Sequence, residues 1–115
     1  MMCSAYFGEL SEGRKAVWDN GDDHPHKVLA SSIQLNGKGH EIWSKGSNYF
    51  HDKIQIDWGS FAWECSANEI LKFLNDSKST LPWLEKDDLK LIRNVKNYIS
   101  ERPNCDFGVV FIEEY

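Results

Sequence analysis

Residues 54–76, IQIDWGSFAWECSANEILKFLND, decide how the chain folds, because several independent local rules agree there. Ile54, Ile56 and Trp58 share one parity, as a strand with one buried face requires, and Phe61, Trp63 and Cys65 repeat the alternation with the parity reversed. A two-residue loop at Gly59-Ser60, with Gly first, suits a type II′ turn. Its register opposes Trp58 to Phe61, Ile56 to Trp63 and Ile54 to Cys65. All six then share one face, and Gln55, Asp57, Ala62 and Glu64 share the other. A continuous strand with a bulge at Gly59 is the alternative, since a bulge also exchanges faces.

Directly after this unit, Ser66 and Glu69 form an S-x-x-E capping box, in which each side chain bonds an orphan backbone N–H of a helix start. The box predicts a helix from Ala67, with Ile70, Leu71, Phe73 and Leu74 as its apolar stripe and Asn75, Asp76 and Ser77 at its end. A hairpin with one apolar face needs cover, and an amphipathic helix needs a floor. The two together predict the nucleus of the core.

Beyond this helix, Pro82 forbids a continuous helix through residues 77–82, and Trp83 and Leu84 are expected to anchor that connector. A second helix is expected over residues 86–101, with Leu89, Leu91, Ile92, Val95, Tyr98 and Ile99 on its buried side. Asp87 and Asp88 suit its N-terminal dipole, Arg102 its C-terminal one, and Pro103 stops it. Residues 107–112, FGVVFI, are apolar on both parities, which predicts a strand covered on both faces and inserted into the sheet.

Ahead of the hairpin, Cys3, Ala5 and Phe7 on one parity and Met2 and Tyr6 on the other predict a first strand over residues 1–10. Residues 15–19, KAVWD, read as a second strand, and residues 20–26, NGDDHPH, as a surface loop. Residues 28–35 fit either a strand, by the alternation of Leu29, Ile33 and Leu35, or a short helix begun by Pro25 and stopped at Gly37. The strand is preferred, because a loop at residues 36–39 opposes Leu35 to His40 and Ile33 to Ile42, making residues 40–44 its return arm and residues 45–48 a turn. The whole predicts one α+β domain over residues 1–115: a mainly antiparallel sheet, two C-terminal-half helices packed on one face, and a final buried strand.

The 115 residues suffice for a single core. With 13 Lys and Arg against 18 Asp and Glu, the net charge of −5 opposes a phosphate-binding surface and favours basic partners. Direct nucleic-acid binding is therefore not expected. Three cysteines, Cys3, Cys65 and Cys105, cannot all pair within one chain, which fits reduced thiols in the cytoplasm. No apolar run approaches the roughly 18 residues of a membrane span, and no signal-peptide pattern opens the chain. No membrane partner is expected.

Specific chemistry is sparse. His24 and His26 in the polar loop, with Asp22, Asp23, His40, His51 and Asp52, are the possible metal ligands, but His-Pro-His matches no specific metal motif. No metal and no cofactor is expected. No cysteine carries a nucleophile signature, and Asp57, Glu64, Asp87 and Asp88 have nothing that fixes a catalytic pair. No G-x-G-x-x-G or Walker pattern follows a strand. Five tryptophans are many for this length, and Trp exposed on a surface anchors interfaces.

The acidic balance, the GDD of Gly21, Asp22 and Asp23, the Glu113-Glu114 end and the lack of a catalytic constellation give the chain a general character that resembles the small acidic immunity proteins, which protect bacteria from toxins. The resemblance implies a protein-binding module, not an enzyme, that neutralises a cognate toxin, in some systems a nuclease, by stoichiometric binding to a basic toxin domain. Asp22, Asp23, Asp57 and Glu64 are the partner-binding candidates. The competing class is a small metal- or ligand-binding enzyme that uses the His-rich loop.

Overall fold

The computed structural model describes residues 2–11, 28–57 and 59–114. In chain order it contains β1 (Met2–Leu10), β2 (Leu29–Gln34), α1 (Gly39–Tyr49), β3 (His51–Asp57), β4 (Ser60–Cys65), α2 (Ala67–Asp76), α3 (Pro82–Ser100) and β5 (Phe107–Glu114). The five strands form one antiparallel sheet in the order β2-β1-β5-β4-β3, an α+β fold. The expected strand over residues 15–19 and the loop over residues 20–26 lie outside the described residues.

The last strand to be made is the middle of the sheet. In β5, Phe107, Val109 and Phe111 face one way and Val110 the other, all buried. Both-parity apolarity therefore has the expected meaning: β5 pairs with β1 on one side and β4 on the other. Ala5 and Phe7 of β1 and Trp63 and Cys65 of β4 share the face of Phe107, Val109 and Phe111. All three helices cover that face, through Ile42 of α1, Ile70, Phe73 and Leu74 of α2, and Leu91, Ile92, Val95 and Tyr98 of α3. A second buried cluster, Leu10, Val28, Leu29, Ile56, Ala62 and Val110, lies on the opposite face.

The capping box forms as the sequence requires. The Ser66 hydroxyl accepts from the Glu69 N–H at 3.1 Å, and the Glu69 carboxylate accepts from the Ser66 N–H at 2.7 Å. These bonds fix the start of α2 at Ala67.

Four expectations are corrected. The hairpin closes with Asp57 opposite Ser60 and Ile54 opposite Ala62, so Ile54 and Ile56 share a face with Ala62 and not with Trp63 and Cys65. Gly59 takes φ +74, a left-handed conformation that glycine adopts without a Cβ penalty. Because side chains alternate, a change of register carries an apolar set to the other face, and the face expected to be polar holds buried Ala62.

Residues 40–44 and 45–48 are not a return arm and a turn but belong to α1. Ile42 and Gly46, one turn apart, face inward. A Cβ on Gly46 would stand 3.2 Å from the Trp63 ring, so any larger residue would require the ring or the helix to give by a few tenths of an ångström. The helix over residues 86–101 begins earlier, at Pro82, where the missing N–H of proline costs nothing at the first helical position. Finally, Trp83, Leu84 and Leu89 are not buried anchors; they are exposed.

Candidate functional site

The first half of α3 stands out on the described surface. Leu81, its N-cap, and Trp83, Leu84 and Leu89 are 42%, 71%, 39% and 43% exposed, whereas Leu91, Ile92, Val95 and Tyr98 further along the helix are buried. Pro82 and the preceding Leu81, with its extended backbone, start α3 abruptly. Residues 82–87 are all exposed. At one side of this segment an open groove of about 870 Å³ lies between α3, the β2–α1 turn and the α2–α3 connector, lined among others by Ile33, Lys78, Leu84, Asp87 and Lys90.

A buried ion pair holds the groove together. Lys38 Nζ lies 2.8 Å from Asp88 Oδ1, and the two side chains are only 6% and 11% exposed. Lys38 also donates to the Ser77 carbonyl at 2.7 Å, and the Ser79 N–H donates to Asp88 Oδ2 at 2.7 Å. Three segments distant in sequence are thus tied at one point. Burial alone would raise the Asp88 carboxyl, but the hydrogen bonds from Lys38 and the Ser79 N–H hold it below the usual carboxylate range. A buried charge pair that is also hydrogen-bonded to the Ser77 carbonyl and the Ser79 N–H acts as a positioning element for the exposed start of α3.

The outer face of α3 is basic. Lys86, Lys90 and Arg93 recur at i, i+4 and i+7, with Lys96 one turn beyond Arg93, and all four are exposed. None of the four side chains makes an ion pair or hydrogen bond among the described residues. From Leu89 to Ser100 the helix has no acidic residue.

The partner-binding candidates separate. Asp22 and Asp23 lie outside the described residues, as do His24 and His26. Asp57 ends β3 opposite Ser60. Glu64 pairs in register with His51, and its carboxylate is 3.9 Å from His51 Nδ1. Asp52, at 3.5 Å from the same nitrogen, and Glu69, at 3.4 Å from Nε2, complete a ring of carboxylates about that imidazole. Ligand atoms of His51, Asp52 and Glu64 lie within 4.8 Å of one another, which makes these three the residues able to hold a cation among those described. His51 and Asp52 are exposed.

All three thiols titrate above the ordinary cysteine value. Burial pushes Cys65 far up. A hydrogen bond to Glu9, 3.3 Å away, raises Cys105. Burial and the nearby Glu113 charge raise Cys3, whose sulfur is 4.0 Å from His40 Nδ1. Thiols held protonated attack poorly.

Sequence reasoning missed the α3 surface because it assigned Trp83 to a connector and Leu89 to the core. Two signals point to it: Pro82 as a first helical residue, and the placement of Lys86, Lys90 and Arg93 opposite the stripe of Leu91, Val95 and Tyr98. No helix among the described residues is long and apolar enough to cross a membrane. No protein-family model, curated protein or solved structure matches the chain.

Proposed function

We propose that the protein is a protein-binding module that engages its partner through the first half of α3 and acts by stoichiometric occlusion, in the manner of an immunity-type inhibitor. The observation that carries this reading is the exposed apolar start of α3: Leu81, Trp83, Leu84 and Leu89 are all exposed within nine residues, and Leu84 lines a groove that also holds the buried Lys38–Asp88 ion pair. Tryptophan is enriched among interface hot spots, because it desolvates a large area with few rotatable bonds. Adjacent exposed apolar residues rimmed by charge mark interaction sites more often than catalytic clefts. Whether the blocked protein is a toxin depends on the partner's own activity.

The test is capture with a matched control. Tagged wild type, Trp83→Ala and Trp43→Ala are immobilised and exposed to lysate of the source organism, and retained proteins are identified and their stoichiometry measured. Trp43 is also exposed, but it sits on α1 two residues from the groove-lining Glu41, roughly 200° round the helix. One partner retained at a fixed ratio by wild type and Trp43→Ala and lost by Trp83→Ala is expected. Truncating an interface anchor costs about 2 kcal/mol or more, which is at least about 30-fold in affinity. A partner retained equally by all three proteins, or none retained, contradicts the reading.

A further inference from the structure

We infer that the surface of the partner seated on α3 is acidic, reversing for the contact itself the partner charge that net composition suggests. The inference rests on the protein-binding reading and names the chemistry of its other half. The chain carries −5 overall, yet Lys86, Lys90, Arg93 and Lys96 stand exposed on one helix, and none of these side chains is paired among the described residues. A rise of about 1.5 Å per residue spreads them over about 15 Å, the scale of one interface patch. Lys38, Lys72 and Arg102 are neutralised locally, by Asp88, by Asp76 and by Glu9 and Glu101. Lys45, Lys53 and Lys78 make no ion pair among the described residues, but they lie singly on α1, on β3 and in the α2–α3 connector and do not recur along one helix face. The α3 stripe is left with its field directed outward.

Three classes of anion compete for such a face, and the apolar neighbours decide between them. A nucleic acid offers uniform negative charge that the net −5 repels over its whole length. Leu81 and Leu89, both exposed, have no use for phosphate. Anionic lipid would accept the leucines and Trp83, but Glu85 and Asp87 are exposed on either side of Lys86, where they would press against the same headgroups. A folded acidic protein surface meets each feature. Its carboxylates answer Lys86, Lys90 and Arg93, an apolar recess takes Trp83, and basic groups at its margin answer Glu85 and Asp87. Such mosaic complementarity fixes orientation and rejects wrong partners.

The sign of an electrostatic effect on association rate tests this. Lys86→Glu/Lys90→Glu/Arg93→Glu and the neutral Lys86→Gln/Lys90→Gln/Arg93→Gln variant are compared with wild type against the captured partner, over a range of salt concentrations. Circular dichroism and a urea midpoint confirm that both variants fold. The expected result is an on-rate at low salt that falls at least about tenfold for charge reversal, with the neutral variant between. Wild-type association should also slow as salt rises. An on-rate raised or unchanged by reversal, for a partner that still depends on Trp83, overturns the acidic surface while leaving the protein-binding reading intact. Absence of any Trp83-dependent partner removes both. Fluorescently labelled (dT)20 and phosphatidylserine vesicles are titrated in parallel: wild-type binding to either that the reversed variant loses assigns the face to that polyanion and overturns the proposal.

Discussion

The two halves of α3 have similar apolar content and opposite fates. In the second half, Leu91, Ile92, Val95 and Tyr98 press against the sheet, and the Tyr98 hydroxyl accepts the Glu9 N–H at 2.8 Å. In the first half, Trp83, Leu84 and Leu89 are left substantially in water. Asp88 is the hinge between these regimes, the point where the helix is fastened to Lys38 and to the α2–α3 connector. Apolarity therefore does not mark the core by itself. It marks a surface that gains from being covered, and the described residues leave the first half of α3 uncovered.

Substitutions along α3 should scale with this division. The largest effect is expected at the junction: Asp88→Ala leaves the Lys38 ammonium buried without its partner, a loss of about 3–5 kcal/mol, read from the urea midpoint. A neutral outcome would mean that the first half is not fastened there. In the packed half, Ile92→Ala should cost about 2–5 kcal/mol through lost burial and an unfilled cavity, and a change under 1 kcal/mol would blur the contrast. The capping box gives a smaller step, with Ser66→Ala costing about 1 kcal/mol in the same assay. In the exposed half, Trp83→Ala should leave stability within about 0.5 kcal/mol of wild type; a large loss would move Trp83 into the core.

Acid sharpens the junction further. The Asp88 carboxyl titrates lower in the folded chain than in the unfolded one. Between those two values the unfolded chain binds more protons, so stability falls as pH falls. The contribution is full above the ordinary aspartate value of about 3.9 and disappears as pH passes below the depressed folded value. Urea midpoints measured from pH 6 downward should therefore fall more steeply for wild type than for Asp88→Asn. Parallel acid limbs would show that this carboxyl carries no linked stability.

The sequence reveals elements whose signals are local and redundant. The Ser66/Glu69 box places α2 to the residue, and the two-sided apolarity of residues 107–112 places β5 inside the sheet. It conceals elements decided by contacts distant in sequence. Gly39, Ser44, Gly46, Ser47 and Asn48 are poor helix formers, so α1 is invisible to propensity and exists because Ile42 and Gly46 fit against the core and Trp63. The hairpin is recognisable, yet its register is set by where Gly59 takes positive φ, and parity alone allows more than one solution. The candidate surface shares this difficulty. Trp83 and Leu89 read as core residues until the packing of Leu91, Val95 and Tyr98 fixes which way α3 faces. Of the acidic candidates, Glu64 is found beside His51 and does not line the groove beside the start of α3.

The central claim is that the exposed start of α3 is kept for a partner and not for the fold. Calorimetric titration of the captured partner into Trp83→Ala, with wild type alongside and the urea midpoint of each recorded, tests it most directly. The account predicts equal midpoints and an affinity at least about 30-fold weaker for the variant. Equal affinity at equal stability would contradict it, and would send the search for the binding surface elsewhere on the molecule.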